Sequence, residues 1–396
     1  MDERTEINTV DADKLSVVVV TPYFPSVSET FIRGHVERLP GQMSLVYDWP
    51  PRTGESFVHP ATRRLVHKIL GRLKGEDPHA ETTAAYISAF RRTGARAVLA
   101  EYGTTGVLLV RACHRLNIPL VVHFHGYDAS EYAVLEEHAE SYPLMFKEAA
   151  AIIAVSRAME QKLLALGAPA EKVHYNPCGI DCSKFSGAEP ENAPPTFLAV
   201  GRFVEKKAPQ LTIKAFARVY RAEPQARLRM IGDGPLLDEC RELVKELKIE
   251  DAVTFMGAQP PEVVEDEMRS ARAFVQHSVE AANGDSEGTP LGVLEAGASG
   301  LAVVSTRHAG IPDVVIENET GLLVDERDVE AMGREMLRMA HEPQLAARMG
   351  RRARLRIKSE FSEERSFSRL WAIIESAVVE RERESASLTV PANSLS

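Results

Sequence analysis

Short segments that are continuously apolar and rich in β-branched residues alternate with helical patterns along the chain, and this alternation restricts the possible folds most. In the first half these segments are 16–20, 44–47, 97–100, 119–124, 151–156 and 172–175. They are apolar at successive positions, not at every second one, as expected for strands that helices cover on both faces. The pattern therefore predicts a parallel, doubly wound α/β sheet.

A segment rich in Pro, Ala and polar residues, 186–196, interrupts the alternation and is typical of a linker. The alternation then resumes, with apolar segments at 196–201, 226–232, 252–257, 273–277, 301–305 and 322–324. We therefore predict two Rossmann-like domains, 1–185 and 197–361, that face each other across a cleft. Ligands of such sheets bind at the carboxyl ends of the strands, so functional residues are expected in the loops that follow strands.

A further helix is predicted near the C-terminus, from about residue 362 to residue 382, with Ser362 as its N-cap. One face of this helix is apolar and carries Phe367, Leu370, Trp371 and Ile374. Because such a face needs a packing partner, we expect the helix to pack back on the first domain. Residues 385–396 show no periodicity and are predicted to form a flexible tail.

Charge and cysteine content exclude several classes of function. The formal net charge of −10 argues against broad nucleic-acid binding, which requires a basic face. The four cysteines are scattered and lack zinc-ligand spacing, as expected for reduced thiols in a reducing compartment. The N-terminus is acidic and polar, without a signal-peptide pattern, and no apolar run is long enough to span a bilayer. We therefore expect a cytoplasmic protein.

The motif SEGTPLGVLEAGASGLAVVSTRHAGIPDVV, residues 286–315, carries the strongest functional signal. Thr289 is a favourable helix N-cap, Pro290 suits the first helical position, and Gly300 suits the residue after the helix. The motif therefore predicts a helix whose N-terminus follows a strand-end loop. Backbone N–H groups at such an N-terminus favour an anion such as a diphosphate.

Two acidic residues lie at this helix. Glu287 precedes its start, next to Gly288, and Glu295 lies within it. Carboxylates in these places can accept hydrogen bonds from sugar hydroxyls. Taken alone, however, Glu287 is more often a first-turn acid that the helix dipole favours, and Glu295 a solvated helix residue.

The whole motif resembles the donor-site signature of glycosyltransferase family 4, because Gly-Thr-Pro lies between the two acids and ASGLAVVST and GIPDVV follow them. The resemblance extends from about Val17 to the C-terminal helix. It implies the GT-B fold and the transfer of a sugar from a nucleotide diphosphate with retention of configuration. It also implies that Glu287 approaches the donor sugar and that Glu295 binds the ribose hydroxyls. The residues between them that would line the donor site are Gly288, Thr289 and Pro290.

The segment GRFVEKKAP, residues 201–209, follows the first strand of the second domain. Arg202 and Lys207 are expected to hold the diphosphate there and to stabilise the negative charge that grows on the leaving phosphate. A solvated basic loop is the alternative. Family 4 enzymes usually have Gly where this chain has Ala208, so Lys206 stays a second candidate for the phosphate contact, although we favour Lys207.

The segment IGDGPL, residues 231–236, predicts a strand followed by a glycine turn. Gly232 and Gly234 allow a close backbone approach, and the resemblance implies that this turn lines the nucleotide pocket. The third glycine of the dinucleotide-binding fingerprint is absent, which disfavours a nicotinamide-dependent dehydrogenase.

The segment VVHFHGYDAS, residues 121–130, ends a buried strand of the first domain. Strand alternation puts His123 and His125 on the same face, and a core histidine with satisfied hydrogen bonds is expected for one of them. A metal pair is disfavoured because no carboxylate lies at ligand spacing on the same element. The sequence His-Gly-x-Asp resembles the first-domain motif of family 4, which implies that His125 contacts donor sugar and acceptor and that Asp128 supports the loop. We expect neither a metal nor a cofactor.

The segment PYFPSVSETFI, residues 22–32, follows the first predicted strand. Ser26 and Glu29 have the spacing of a capping box, which predicts a helix N-terminus that points into the cleft. The segment resembles the branch of the family that assembles bacterial exopolysaccharides, such as the colanic acid and amylovoran enzymes. This resemblance implies that Ser28 and Glu29 contact the acceptor or a phosphate.

Residues 61–75 are amphipathic if they are helical, with an apolar side and a basic side. The basic side carries Arg63, Arg64, Lys68, Arg72 and Lys74. An ordinary surface helix packed on its domain is the favoured interpretation. Contact with an anionic membrane is the alternative, and it suits an enzyme that takes a lipid-linked acceptor.

The predicted function is therefore that of a retaining, metal-independent hexosyltransferase. It would move a sugar from a UDP- or GDP-linked donor to a hydroxyl of a lipid-linked or growing polysaccharide acceptor. Two alternatives stay open: a non-catalytic partner that binds sugar nucleotides, and another GT-B enzyme such as a nucleotide-sugar epimerase. The joint presence of the predicted site residues argues against a non-catalytic copy; these residues are Glu287, Glu295, Arg202, Lys207 and His125.

Overall fold

The computed structural model describes residues 14–24, 30–48, 51–53 and 80–389. The amphipathic segment 61–75 and the capping box of Ser26 and Glu29, together with Ser28, lie outside the described residues. What the sequence predicts for them stays a prediction.

The first domain is a doubly wound α/β domain, as predicted. Its described strands are β1 (Ser16–Thr21), β2 (Gln42–Tyr47), β3 (Arg52–Thr53), β4 (Ala97–Glu101), β5 (Leu120–Phe124), β6 (Ala151–Ala154) and β7 (Val173–Tyr175). They form one sheet in the order β3-β2-β1-β4-β5-β6-β7, and all neighbours are parallel except β2 and β3. Its described helices are α1 (Thr30–Arg38), α2 (Ala80–Thr93), α3 (Gly103–Leu116), α4 (Tyr132–Glu137), α5 (Ser141–Glu148) and α6 (Arg157–Ala165).

The second domain repeats this architecture with a parallel sheet. Its strands are β8 (Thr196–Val200), β9 (Arg227–Ile231), β10 (Val253–Gly257), β11 (Ala273–Gln276), β12 (Ala302–Thr306) and β13 (Gly321–Val324), in the order β10-β9-β8-β11-β12-β13. Its helices are α7 (Pro209–Ala222), α8 (Leu237–Glu246), α9 (Pro261–Ser270), α10 (Leu291–Ser299), α11 (Ile311–Val314), α12 (Val329–His341) and α13 (Pro343–Glu360).

Burial of the central strands explains why the apolar segments form these sheets. Every residue of β1 is buried, and Val17 to Val20 have no solvent-exposed surface at all. Burying one such valine contributes on the order of 1.5–3 kcal/mol to folding. In each sheet the strand order reverses beside the first strand of the domain, at β1 and at β8. Loops diverge at such a switch point and leave a crevice for a ligand.

The C-terminal helix α14 (Glu363–Thr389) packs on the first domain. Phe367, Leu370, Trp371 and Ile374 share a buried cluster with residues of β1 and β4. The Ser362 hydroxyl accepts a hydrogen bond from the backbone N–H of Arg365 at 3.3 Å, as an N-cap does.

The predicted end of this helix and start of the tail are wrong. The helix continues to Thr389, so residues 385–389, which were expected in a flexible tail, are helical. Tertiary contacts extend it: Glu382 pairs with Arg96, and Asn117 Nδ2 donates to Ser385 Oγ at 2.7 Å. Periodicity alone could not reveal these contacts, because the polar residues that make them break the apolar pattern.

Candidate active site

Glu287 lies in the loop between β11 and α10, with its side chain almost fully buried. Its Oε1 atom is 3.0 Å from Lys207 Nζ and accepts a hydrogen bond from Ser278 Oγ at 3.2 Å. Its backbone N–H donates to His308 Nε2 at 3.2 Å. Burial alone raises the pKa of Glu287, but Lys207 and Lys206 outweigh it, so the pKa lies below its ordinary value. Glu287 is therefore a carboxylate at neutral pH.

The two lysines after β8 have different partners. Lys206 Nζ lies 2.9 Å from Asp285 Oδ1 and donates to the Ser286 carbonyl oxygen at 3.1 Å. Lys207 Nζ instead approaches Glu287 and, at 3.5 Å, Gln276 Oε1 at the end of β11. Lys206 thus anchors the loop before α10, while Lys207 lies at the strand ends. This geometry supports the choice of Lys207 as the phosphate-binding lysine.

Ala208, which replaces the usual family glycine, has a left-handed backbone conformation with φ of 36° and ψ of 54°. A residue with a Cβ atom adopts this region at a cost of about 1–2 kcal/mol, which glycine avoids. The chain keeps the conformation because Ala208 precedes α7 and its backbone N–H bonds to the Glu205 carbonyl. Alanine at this position therefore adds backbone strain just before α7.

Arg202 is exposed at the end of β8. Its guanidinium forms no hydrogen bond or ion pair with another residue in the described ranges. Arg202, Lys207 and Gln276 line a common pocket at the ends of β8 and β11. The two cations can therefore contact one anion of the size of a diphosphate.

Gly232 and Gly234 both have positive φ angles, 138° and 152°. A Cβ atom on Gly232 would overlap the carbonyl oxygen of Gly201, and one on Gly234 would lie 2.6 Å from the carbonyl oxygen of Phe203. The close backbone approach predicted at these glycines is thus to the loop that carries Arg202. The glycines thus let this turn pack closely against the loop of residues 201–203.

The prediction that Thr289 caps α10 is wrong. The helix begins at Leu291, Pro290 occupies the capping position, and no side chain caps it. The Thr289 hydroxyl instead donates to the Val155 carbonyl oxygen at 2.8 Å and accepts from the Cys178 backbone N–H at 3.0 Å. The hydroxyl therefore satisfies two backbone groups outside its own helix, the Val155 carbonyl and the Cys178 N–H. Gly300 ends the helix with φ of 98°, as predicted.

The loop before α10 also contacts the first domain directly. A Cβ atom on Gly288 would overlap the carbonyl oxygen of His125, so only glycine permits this contact. The backbone N–H of Ser286 donates to Ser130 Oγ at 3.2 Å, and Lys162 Nζ donates to Ser286 Oγ at 3.3 Å. The residues predicted to bind the donor therefore lie against the first-domain residues predicted to contact donor and acceptor.

Glu295 lies in the second turn of α10 and is half-buried. Within the described part of the chain its carboxyl group has no hydrogen-bond partner. Burial raises the pKa of Glu295 to about 7, although nearby Lys207 lowers it in part. An acceptor without a partner in this position is suited to bind hydroxyl groups.

In the first domain, His125 is linked to a carboxylate that the sequence analysis missed. Its Nε2 atom lies 2.7 Å from Glu101 Oε2, and Glu101 Oε1 lies 2.6 Å from Nδ1 of His35. Glu101 is the last residue of β4, His125 follows β5 and His35 belongs to α1. The sequence feature that could have revealed Glu101 is its position as a single acidic residue at the end of an otherwise apolar strand.

This cluster carries separated charges. Burial alone raises the pKa of Glu101, but His35, His125 and His123 outweigh it and hold the pKa far below its ordinary value. Burial alone lowers the pKa of His125, but hydrogen bonds to Cys178 and Glu101 outweigh it and raise the pKa to about 10. Glu101 and His125 thus form a buried ion pair at neutral pH.

His123 is the core histidine of the pair, but it is not satisfied as predicted. It is 1% exposed, and neither ring nitrogen has a hydrogen-bond partner among the described residues. Burial, and then His125, lower the pKa of His123 well below its ordinary value, so it is neutral. Donor atoms of His35, Glu101 and His123 lie within 4.8 Å of one another, a set of ligand types that a transition metal accepts.

Asp128 organises the loop after β5. Its fully buried carboxylate accepts backbone N–H bonds from Gly103 at 2.8 Å, Gly126 at 2.9 Å and His125 at 3.0 Å. Burial raises the pKa of Asp128, and these hydrogen bonds and His125 oppose the rise. Asp128 therefore fixes the backbone of the loop at His125.

Comparison with known proteins identifies the class. The sequence model described as Glycosyltransferase Family 4 matches residues 16–184, and that described as Glycosyl transferases group 1 matches residues 183–356. HepE from Anabaena, solved in complex with UDP, has a TM-score of 0.72 and 16% sequence identity, with 91% of this chain and all of HepE covered. The protein thus has the GT-B fold.

Relatives that are similar in sequence show which glycosyltransferase family the chain belongs to. Amylovoran biosynthesis glycosyltransferase AmsK of Erwinia amylovora is 32% identical over 70% of this chain and 69% of its own length. The GDP-mannose-dependent alpha-(1-6)-phosphatidylinositol monomannoside mannosyltransferase of Mycolicibacterium smegmatis is 25% identical over 58% of this chain and 63% of its own. The chain belongs to glycosyltransferase family 4 and is a glycosyltransferase.

Within the part of the chain that the structure describes, no helix combines the length and the apolar character needed to cross a membrane. Even α14, which is the longest helix there, is not apolar enough over its length to cross a bilayer.

Proposed function

We propose that the protein transfers a sugar from a nucleotide diphosphate sugar to an acceptor hydroxyl, with retention of anomeric configuration and without a metal ion. The observation that carries this proposal is the buried Lys207–Glu287 pair beside the start of α10, next to Gly288, which contacts the His125 carbonyl oxygen of the first domain. The proposed site thus combines a cation for the leaving diphosphate, a carboxylate for the sugar and a first-domain histidine.

The second domain would hold the donor. Arg202 and Lys207 bind the diphosphate and stabilise the charge that develops on it as the glycosidic bond breaks. Glu295 accepts hydrogen bonds from the ribose hydroxyls, and Glu287 accepts them from the sugar. Because two cations supply this electrostatic stabilisation, the reaction needs no divalent ion to do so.

The transfer would proceed on one face of the sugar. The bond between the anomeric carbon and the phosphate oxygen breaks, the acceptor oxygen bonds to the same carbon, and the acceptor proton passes to the departing phosphate. Closure of the domains would exclude water and limit hydrolysis of the donor.

The relatives suggest donor and acceptor classes. HepE was solved with UDP and with UDP-glucose, whereas the mycobacterial relative is named as GDP-mannose-dependent, so UDP- and GDP-linked sugars are the donors to test first. The name of AmsK refers to amylovoran biosynthesis, which supports a lipid-linked or growing exopolysaccharide acceptor in the present case. Such an acceptor would bring the enzyme to the cytoplasmic face of a membrane.

A thermal-shift panel followed by kinetics tests this proposal. We expect one nucleoside diphosphate and its sugar to raise the melting temperature, while NAD and NADP do not. Lys207→Ala should lower the transfer rate at least about a hundredfold, as loss of one charge-stabilising group does. Lys214→Ala, which removes an exposed lysine of α7, is the matched control. Binding of a sugar nucleotide without turnover in the wild type would point to the non-catalytic alternative, and epimerised donor to the epimerase.

A further inference from the structure

The loop between β11 and α10, residues 277–290, is bound at two places by one pair of side chains. His308 follows β12 and Glu326 follows β13, the two strands that come after β11 in the sheet. His308 Nε2 accepts the backbone N–H of Glu287 at 3.2 Å, near the end of the loop. Glu326 Oε2 accepts the backbone N–H of Glu280 at 3.0 Å, near its beginning. Because His308 Nδ1 lies 2.6 Å from Glu326 Oε1, the pair connects the two ends of the loop.

These hydrogen bonds define where the proton of the imidazole lies. Nε2 of His308 accepts from a backbone N–H and therefore carries no proton, so the ring proton lies on Nδ1 and is donated to Glu326. A proton on Nε2 would instead face the N–H of Glu287, and that buried backbone group would lose its partner. The bond that one ring nitrogen makes fixes the state of the other, so Glu326 selects the tautomer that can bind Glu287.

The backbone is strained immediately after each member of the pair. Ala309, which follows His308, has φ of 44°, and Arg327, which follows Glu326, has φ of 65°. Residues with a Cβ atom adopt this left-handed region only at a cost in free energy. Such strain persists where surrounding contacts impose it, and it occurs most often at functional sites. The strain on both sides thus indicates that the exact placement of the two side chains matters.

The turn after β12 also lies directly against the loop at the predicted sugar-binding residue. A Cβ atom on Gly310 would overlap the carbonyl oxygen of Gly288, the residue after Glu287. The imidazole of His308 is 3% exposed and lies beneath the same stretch of backbone. The backbone of Glu287 determines where its carboxylate lies, and a displacement of about 1 Å can slow a reaction about a hundredfold. The pair is therefore placed to control the geometry of that carboxylate.

We propose that His308 and Glu326 are positioning residues of the transfer reaction: Glu326 holds the imidazole in the tautomer with its proton on Nδ1, and Nε2 then fixes the backbone of Glu287 so that its carboxylate meets the donor sugar. This inference rests on the proposed function for its catalytic consequence. It gives a role to two residues for which the sequence analysis predicts none.

Nitrogen-15 NMR of histidine-labelled full-length protein measures the tautomer without any substrate. At pH 8 a free histidine is neutral, because its pKa is near 6.5. We expect Nδ1 of His308 to be protonated and Nε2 to be unprotonated, with His308→Gln used to assign the signals. Glu326→Gln, whose amide oxygen can still accept from Nδ1, should keep this tautomer, whereas Glu326→Leu should lose it. Glu317→Leu is the matched control, because Glu317 pairs with the exposed Arg307 and should leave the His308 signals unchanged.

Kinetics and binding separate a positioning role from a merely structural one. For His308→Leu and for Glu326→Leu we expect kcat of transfer to fall at least about tenfold. The affinity for a nucleoside diphosphate without its sugar, measured by calorimetry, should not fall, because Arg202 and Lys207 belong to the loop after β8. Glu326→Gln should recover most of the rate. The double variant should be no slower than His308→Leu, because the two residues act as a unit.

Several results would overturn the inference. A proton on Nε2 of His308 in the wild type would do so, as would a wild-type rate in His308→Leu. Equal losses of rate in Glu326→Gln and Glu326→Leu would also count against it, as would a loss of nucleoside diphosphate affinity that matches the loss of kcat. If the leucine variants do not fold, the wild-type tautomer and the rate of Glu326→Gln still test it. If no donor supports transfer, the proposed function fails, while the spectra still decide separately whether Glu326 sets the tautomer of His308.

Discussion

Nucleotide binding should depend on pH through Glu295. Burial raises the pKa of Glu295 to about 7, and its carboxyl group has no hydrogen-bond partner in the described part of the chain. Ribose hydroxyls donate hydrogen bonds best to the ionised form. The protonated form must therefore lose its proton before the ribose binds in the proposed way, and acid should weaken binding.

The pKa sets the size of the effect. With a pKa of about 7, roughly one tenth of Glu295 is ionised at pH 6 and roughly nine tenths at pH 8. The affinity for the nucleotide should thus fall about tenfold from pH 8 to pH 6, which corresponds to about 1.4 kcal/mol. Near pH 7, binding should release about half a proton per site.

Isothermal titration calorimetry measures both quantities. The nucleoside diphosphate titrates on its own near this range, so the informative number is the affinity of the wild type divided by that of Glu295→Gln at each pH. Buffers with different ionisation enthalpies give the number of protons released. A ratio that stays constant between pH 6 and pH 8, or proton uptake on binding, would refute the assigned role of Glu295.

Stability gives an independent check of the same pKa. Because the folded-state pKa of Glu295 is raised, its contribution to stability is fully present below the unfolded value of 4.5 and is lost as pH rises through about 7. The difference between the two pKa values corresponds to about 3 kcal/mol. Glu295→Gln should therefore raise the melting temperature relative to the wild type at pH 8, and much less at pH 4.5.

Three further changes have defined outcomes. Glu287→Gln leaves Lys207 without its counter-charge, so a nucleoside diphosphate should bind about tenfold tighter, as measured by calorimetry, while kcat for transfer falls. Equal or weaker binding would contradict the ion pair at 3.0 Å. Ala208→Gly relieves the backbone strain of a residue with φ of 36° and should increase the free energy of unfolding in urea by about 1 kcal/mol. A loss of stability would count against the left-handed conformation. Gly288→Ala forces a Cβ atom against the His125 carbonyl and should separate the two domains. Small-angle scattering should then record an increased radius of gyration, and kcat should fall at least about tenfold. Unchanged scattering and an unchanged rate would refute that contact.

The architecture was predictable because strands buried on both faces leave a direct trace in sequence. The apolar segments around 16–20 and 97–100 became β1 and β4, with every residue of each strand buried. The short antiparallel β3, by contrast, has only two residues and no apolar pattern to detect. The end of α14 was missed for the same reason, since polar contacts such as that of Ser385 with Asn117 hold it in place.

The site was predictable only where it is contiguous in sequence. Glu287 and Glu295 flank one helix start within a single motif, so the resemblance of that motif to family 4 could imply their association with the donor. Glu101, His35 and His125 meet from three separate elements, and no spacing relates them. The hydroxyl of Thr289 was assigned to its own helix because local rules favour capping, whereas Val155 and Cys178 bind it in the folded chain.

Two cations of the cleft, Lys207 and His125, pair with acids of their own domains. Lys207 lies 3.0 Å from Glu287, and His125 lies 2.7 Å from Glu101. Arg202 is exposed and has no partner in the described ranges, so an incoming diphosphate can reach it at no cost in broken contacts. In the proposed donor complex, Lys207 would leave Glu287 to bind the same diphosphate, and that exchange would free a buried carboxylate, which would then need new donors. The hydroxyls of a correctly placed sugar are such donors. In the proposed donor complex the ion pair would therefore link phosphate binding to sugar recognition: a nucleoside diphosphate alone would leave Glu287 unsatisfied, while the complete nucleotide sugar would satisfy both groups.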